Sequence, residues 1–349
     1  MTQPSPITNQ PSVSPIPLMQ MAAGFWVSKT LASAVELGLF PALADHPADK
    51  NTLATALGLK PRPAEVLLTA CTALGLLDKT GDLYRNSPMT QAYLLPDKPH
   101  YFGGVVRFCD EREYVAWDRL PQALRTNRPI TWDPDSHESP FADLEPEMID
   151  LIWRGMHSLS ASTAAVLATT CDFSPYRRIL DVGGGSGAYL IELCKRHAHL
   201  TGTVYDLPPA CEIAKQNIAS ASLDKTIATA SGDFQRDAEL PGGHDLILLS
   251  MILHDWDEAT GRMLLRKCRD ALPPGGAVMI SELLVNPERT GPLDAALMGM
   301  NMLAETTGGR NYAEDEYLAW LKDAGFDEPE IIRFEAAGAN GVVIGRRPV

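Results

Sequence analysis

The sequence predicts an α/β fold, a doubly wound and mainly parallel sheet behind a smaller, mainly helical module. Three observations predict it. After Arg178 short apolar runs alternate with stretches of helical period. Continuous runs such as Leu246-Ile247-Leu248-Leu249 suit strands covered on both faces. Before residue 100, two helical patterns lead into one small hairpin. A chain of 349 residues that is 45% hydrophobic can bury at least one full core, and its length suggests two domains.

Met1 to Pro17 carries five prolines and no apolar period, which predicts a disordered tail. From Leu18 to about Leu43, Phe25, Val27, Leu31, Val35 and Leu39 recur at helical spacing, and Gly38 and Pro41 punctuate the end, so one long amphipathic helix is expected. Thr52 to Leu57 and Pro63 to Leu77 read as two further helices, the second with Val66, Leu67, Ala70, Leu74 and Leu77 on one face. Asp78-Lys79-Thr80-Gly81-Asp82 then leads into Leu83-Tyr84 as a hairpin. Helices closed by a hairpin form a winged-helix pattern, which raises the alternative of a DNA-binding regulator. The candidate recognition helix offers Glu65 and small or apolar residues where a groove reader would present Arg, Asn or Gln, so a packing or dimerisation module is favoured.

Tyr101 to Glu147 is helical in patches and interrupted by Pro121, Pro129, Pro134, Pro140 and Pro146, as a connecting region would be. Met148 to Ala168 reads as a helix carrying Trp153, Met156 and Ser160. The sheet then follows, with strands expected at Ile179–Val182, Thr203–Tyr205, Ile227–Ala230, Leu246–Leu249, Ala277–Ile280, Ile331–Phe334 and Val342–Ile344. Helices are expected at Ala188–Arg196, Cys211–Ala219, Glu258–Ala271 and Glu314–Ala324. Only Glu335 to Gly341 separates the last two strands, too little for a helical crossover, so the sheet should end in an antiparallel edge strand.

A formal charge of -14 disfavours phosphate backbones and anionic membranes and favours a small-molecule substrate. The six cysteines, Cys71, Cys109, Cys171, Cys194, Cys211 and Cys268, form no C-x-x-C pair and no zinc-like spacing with histidine, which implies reduced thiols, a cytoplasmic protein and no metal. No apolar stretch is long enough to span a bilayer, and no export signal is evident.

In a doubly wound sheet, ligands bind beyond the carboxyl ends of the strands. The first strand runs through Asp181-Val182 into Gly183-Gly184-Gly185-Ser186-Gly187, where glycines permit positive φ and let a ligand approach the backbone. Gly183-x-Gly185-x-x-Ala188 also satisfies a dinucleotide pattern, so the loop alone is ambiguous between a nicotinamide and S-adenosylmethionine. Asp206, closing the second strand, would bind ribose hydroxyls in either case, and could also cap the next helix. Gly232-Asp233-Phe234 offers a carboxylate and an aromatic ring suited to adenine, which tips the balance to S-adenosylmethionine. After the fourth strand comes Met251-Ile252-Leu253-His254-Asp255-Trp256-Asp257, and Glu282 closes the next strand. A His and a carboxylate converging from neighbouring strands suit a general base held in one tautomer by an acid.

Together with Tyr205-Asp206-Leu207-Pro208 and Gly308-Gly309-Arg310, these motifs resemble the plant-type and bacterial small-molecule O-methyltransferases over nearly the whole chain after Leu18. The resemblance implies a Rossmann-like methyltransferase domain over residues 171–349 and a winged-helix dimerisation domain over 18–100. A helical connecting region, 101–170, would line the acceptor pocket. It implies a homodimer acting on a hydroxyl of a small aromatic substrate of secondary metabolism. C- or N-methylation on the same scaffold is the alternative.

Carried over residue by residue, His254 matches the catalytic base and Glu282 the carboxylate that orients it. Gly183, Asp206, Asp233 and Phe234 match cofactor contacts, with Gly185, Leu207 and Gly232 in the same turns, and Ser160 matches a serine near the methionine end. Trp153, Met156, Met298, Asn301 and Met302 fall where the family lines its acceptor pocket, although methionines at such positions are as often ordinary core. Two positions depart from the plant pattern. Ser250 replaces a lysine four residues before the His, which alters one cofactor contact, and Asn311 stands where a second Glu is usual. An amide can hydrogen-bond a histidine or a substrate but cannot stabilise an imidazolium by charge, so Asn311 would give neutral support only.

Overall fold

Apolar spacing alone reads residues 18–43 as a single helix, but the backbone breaks before Gly24, a residue that is costly inside a helix. The computed structural model, which describes residues 13–137 and 146–349, has α1 (Ile16–Ala22) and α2 (Gly24–Glu36) in its place, followed by a 3-10 turn at Pro41–Leu43. Ile16 and Pro17 therefore belong to a helix, not to a tail, and the rest of that expectation falls largely on residues 1–12, outside the described ones. Next come β1 (Ala48–Asp49), α3 (Lys50–Ala56), α4 (Pro61–Ala73), β2 (Leu77–Thr80), β3 (Leu83–Asn86) and α5 (Pro88–Tyr93). Asp49 caps α3 by accepting from the Asn51 and Thr52 amides. α4 stops short of the expected Leu77 because Gly75 takes φ +72° and the Leu76 amide bonds back to the Cys71 carbonyl, a glycine C-terminal stop. The three strands pair in the order β1-β3-β2, forming the wing.

The chain divides into two units between Lys98 and Pro99. The second unit opens with α6 (Gly103–Phe108), a π-helical turn at Cys109–Glu113, α7 (Tyr114–Trp117), α8 (Leu120–Thr126) and the long α9 (Pro146–Thr170). Ala164, Leu167 and Ala168 of α9 share one apolar core with the sheet, so the expected connecting region is part of the second unit. Then follow β4 (Arg178–Val182), α10 (Ala188–Arg196), β5 (Thr201–Asp206), α11 (Pro208–Ser220), β6 (Ile227–Ser231), β7 (Leu246–Ser250), α12 (Glu258–Ala271), β8 (Ala277–Glu282), α13 (Leu293–Glu305), α14 (Glu314–Asp323), β9 (Asp327–Arg333) and β10 (Gly341–Arg346).

Seven strands lie in the order β6-β5-β4-β7-β8-β10-β9. The first five are parallel, and β10 is antiparallel to both β8 and β9. The expected hairpin forms, and the edge strand is antiparallel to its neighbour, but the chain's last strand is not the edge. Val342 and Val343 of β10 are fully buried, whereas β9 carries exposed Asp327, Glu328 and Glu330, so the more apolar strand takes the interior. Strand residues alternate between two cores. Ile179, Leu246, Leu248 and Met279 face α9 and α10, while Leu180, Val182, Ile247, Leu249 and Ile280 face Leu264 and Leu265 of α12 and Trp320 of α14. Strand order reverses between β4 and β7, and in such sheets the crevice beyond that point receives the ligand.

Candidate active site

Beyond β4 the backbone turns through Gly183 (φ +70°), Gly185 (φ +53°) and Gly187 (φ +76°), a conformation other L-residues rarely adopt. Space is as restrictive as conformation. A Cβ on Gly183 would lie 2.4 Å from the Ile252 side chain, and one on Gly185 would lie 3.2 Å from the Trp153 ring. Asp206, at the end of β5, accepts from the Gly185 amide at 2.7 Å and from the Leu207 amide at 2.6 Å. Its carboxylate thus fixes the glycine turn. It does not cap α11, whose N-cap is the exposed Leu207.

At the mouth of the turn the Asp181 carboxyl is 1% exposed, and neither oxygen has a hydrogen-bond partner. Burial, reinforced by the Asp206 charge, pushes it up to about 8. Ser250 and Ser281, opposite each other at the ends of β7 and β8, also bury unpartnered hydroxyls. Asp233 spends one oxygen on the Gln235 amide within its own turn. Gly232 is required for packing, since a Cβ there would lie 2.3 Å from the Tyr205 ring. The Phe234 ring meets Trp256 edge-on at 5.6 Å.

Past β7, Met251 adopts φ +55°, an uncommon conformation for a side chain of its size, and swings the chain into a 3-10 turn at Leu253–Asp255. That turn presents His254, 4% exposed, to the fully buried Glu282 at the end of β8. His254 Nδ1 lies 2.7 Å from Glu282 Oε2. The approach lies off the line of a well-formed hydrogen bond, so charge dominates this contact. Glu282 Oε1 accepts from the Ile252 and Leu253 amides at 3.0 and 3.1 Å, which holds the carboxylate against the turn carrying the histidine. Burial disfavours the imidazolium, but the charges of Glu282 and Asp255 outweigh it and raise His254 to about 9. Gly309 seals the turn from above, since a Cβ there would lie 2.3 Å from the His254 carbonyl oxygen.

The remaining expected residues are distributed unevenly. Asn311 is buried, but its amide donates to the Leu283 carbonyl at 2.7 Å and makes no hydrogen bond to His254, so the expected support does not form as a direct contact. Asn301 accepts from the Trp117 indole at 3.0 Å and donates to Glu113 at 2.7 Å, tying α13 to the helices before α9. Met302 is buried and Met298 packs on Leu283, Val285 and Ala295, which is core behaviour. Trp153 lies against the glycine turn, and Met156 and Ser160 are half-buried on α9. Sequence reasoning missed His157, whose Nδ1 lies 2.8 Å from the Ser186 hydroxyl of the glycine turn. The motif Gly155-Met156-His157-Ser158-Leu159-Ser160 contains that signal, but the resemblance assigns roles only to its Met156 and Ser160.

The O-methyltransferase domain family matches residues 117–327, and the O-methyltransferase dimerisation domain matches residues 19–96. The chain belongs to the S-adenosylmethionine-dependent O-methyltransferases. It is 50% identical to 3-hydroxy-5-methyl-1-naphthoate 3-O-methyltransferase of Streptomyces sahachiroi over 331 residues, 95% of each chain. It is 33% identical to the tetracenomycin polyketide synthesis 8-O-methyl transferase TcmO of Streptomyces glaucescens, covering 95% of this chain and 96% of that one. Human N-acetylserotonin methyltransferase in complex with S-adenosylmethionine superposes with a TM-score of 0.84 at 26% identity, over 98% and 99% of the two chains.

The methyltransferase's own geometry fits its cofactor. A buried carboxyl without a partner calls for a donor or a cation, and S-adenosylmethionine carries an ammonium, a sulfonium and a ribose diol. A positive-φ glycine turn exposes backbone rather than side chains at Gly183, Gly185 and Gly187, which suits close approach of that molecule. Asp181, Gly183, Gly185 and Asp206 are among the residues that could hold it. Among the described residues no helix is long and apolar enough to cross a membrane.

Proposed function

We propose that the enzyme methylates a phenolic hydroxyl of a small aromatic acceptor, with His254 as the base and Glu282 as its charged partner. Cofactor contacts fall to Gly183, Gly185, Asp206, Leu207, Asp233, Phe234, Ser250 and Ser160. The carrying observation is the buried His254–Glu282 pair at the ends of β7 and β8, on a segment whose Ile252 packs against Gly183 of the glycine turn. The naphthoate and polyketide acceptors named for the two bacterial relatives support an aromatic ring with a hydroxyl.

When bound, S-adenosylmethionine supplies a methyl group already activated on a positively charged sulfur. The protein then has to orient the acceptor, exclude water and take one proton. With an ordinary histidine near ~6.5 and a phenol near ~10, prior proton transfer to His254 would be uphill by about 5 kcal/mol. The charges of Glu282 and Asp255 raise His254 and so narrow that gap, which favours proton transfer to the imidazole as methyl transfer proceeds. Trp153 and Met156 remain the favoured acceptor-lining residues, since Met298, Asn301 and Met302 are committed to packing and internal hydrogen bonds.

Incubating purified protein with methyl-labelled cofactor and a panel of hydroxynaphthoic acids, simple phenols and aromatic amines tests this reading. An aryl methyl ether is the expected product, and label on nitrogen or carbon alone would overturn it. A pH profile follows from the same geometry. The group must lose its proton to act, and its folded value is raised, so kcat/KM should climb with pH from 7 toward about 9. A profile already flat at pH 7 would show that Glu282 does not hold that proton.

A homodimer through the first unit is part of the same proposal. Ile16, Leu18, Met19, Met21, Trp26 and Val27 on α1 and α2 are more than half exposed, and a second copy of this chain would cover them. Sedimentation at micromolar concentration should give a dimer, and a monomer at every concentration would refute it. Six free thiols support a reducing, cytoplasmic compartment.

A further inference from the structure

We infer that His157 is a positioning residue, a neutral acceptor on α9 that clamps the glycine turn through Ser186 and so sets cofactor affinity. The inference rests on that turn being the cofactor loop. Ser186 is 4% exposed and sits between Gly185 and Gly187, whose positive φ values hold the turn open. Its two polar ends are gripped from different helices. Asn217 of α11 donates through Nδ2 to the Ser186 carbonyl at 3.0 Å, and the Ser186 hydroxyl lies 2.8 Å from His157 Nδ1.

Those contacts fix the histidine's tautomer. A carbonyl only accepts, so the Asn217 amide must present its NH2 to Ser186. The same nitrogen lies 3.3 Å from His157 Nδ1, which must then be the unprotonated, accepting nitrogen. Ser186 consequently donates its hydroxyl proton to Nδ1, and the ring proton sits on Nε2. One lone pair is shared by two donors, both belonging to the wall of the cofactor turn. A proton on Nδ1 would face the Asn217 NH2 and lose that contact, and the Ser186 hydroxyl would have to turn round and accept, so the clamp would weaken.

The surroundings agree with a neutral ring. Burial lowers the basicity of His157, and the two charged groups facing it from α10, Glu192 and Lys195, oppose each other and are themselves paired at 2.9 Å. Trp153, one turn earlier on α9, lies against Gly185. Two consecutive turns of α9 therefore brace two consecutive loop residues. Protonation below the ordinary histidine range should loosen the turn, so affinity is present at neutral pH and falls as the solution is acidified.

The test uses the full chain and the probe S-adenosylhomocysteine, with calorimetry at pH 7.5 and pH 5.5. His157→Leu removes the acceptor and should weaken binding by about five- to thirtyfold at pH 7.5, the worth of one or two hydrogen bonds. His157→Asn puts an amide oxygen near the Nδ1 position and should recover affinity to within about threefold, because it accepts without titrating. Between pH 7.5 and 5.5 the unaltered protein should lose affinity more steeply than the Asn variant, by a factor of about two or more. Amide exchange of residues 183–187, measured without any cofactor, should be faster in the Leu variant and near its original rate in the Asn variant. That readout separates a failure of this clamp from a failure of the cofactor assignment. Unchanged loop exchange in a folded His157→Leu protein would overturn the inference, as would an Asn variant with the acid dependence of the unaltered enzyme.

Discussion

Replacing His254 with alanine should lower turnover by roughly 100- to 10,000-fold, the usual worth of a general base, while affinity for S-adenosylhomocysteine barely changes. The two effects separate because the residues stand on different strands. The glycine turn and Asp206 follow β4 and β5, whereas His254 is held by Glu282 and by the backbone that Met251 redirects after β7. Removing the imidazole also leaves Glu282 buried with no counter-charge, although its Oε1 keeps two amide donors. Truncating one member of a buried ion pair is destabilising, so part of any lost activity could come from unfolding. Rates must therefore be referred to folded protein, measured by thermal melting under assay conditions. Unimpaired turnover in a folded alanine variant, with methyl transfer shown to be rate-limiting, would make His254 a structural residue and leave catalysis to orientation and proximity.

Much of this arrangement was legible in the sequence because burial on two faces writes itself into composition. Leu246-Ile247-Leu248-Leu249 alternates between two cores, so no position in it can be polar. α10 and α12 begin and end where their periodicity does, at Ala188–Arg196 and Glu258–Ala271. Other features depend on competition between segments, which one stretch of chain does not reveal. Whether β9 or β10 takes the sheet interior is decided by comparing the two strands, and α13 starts after Pro292 with no side-chain cap to announce it. Asn301 resembles a pocket residue until Trp117 and Glu113, about 190 positions earlier, engage both ends of its amide. His157 is hidden for a similar reason, since its partners Ser186 and Asn217 lie 29 and 60 residues away in sequence.

Glu282→Gln should be nearly as damaging as His254→Ala, by about 100-fold or more in turnover, although sequence reasoning alone makes it the milder change. At the level of sequence, a glutamine keeps a hydrogen-bond partner and loses only a charge. The structure adds a direction. Oε1 of Glu282 already accepts from the Ile252 and Leu253 amides, and only an oxygen can do that. A glutamine side chain must therefore leave its oxygen there and turn its NH2 toward His254 Nδ1, where Oε2 now lies at 2.7 Å. An NH2 donates, so Nδ1 would have to accept, and the ring proton would move to Nε2. Nε2 is the nitrogen left to receive the acceptor's proton, and in that tautomer it cannot. The substitution also removes the charge that raises His254 to about 9, so whatever activity remains should have its pH limb displaced to lower pH. Turnover and kcat/KM measured from pH 6 to 10 on both proteins decide the matter. A glutamine variant that keeps most of its turnover and the original pH limb would show that neither the charge nor the tautomer of His254 is set by Glu282.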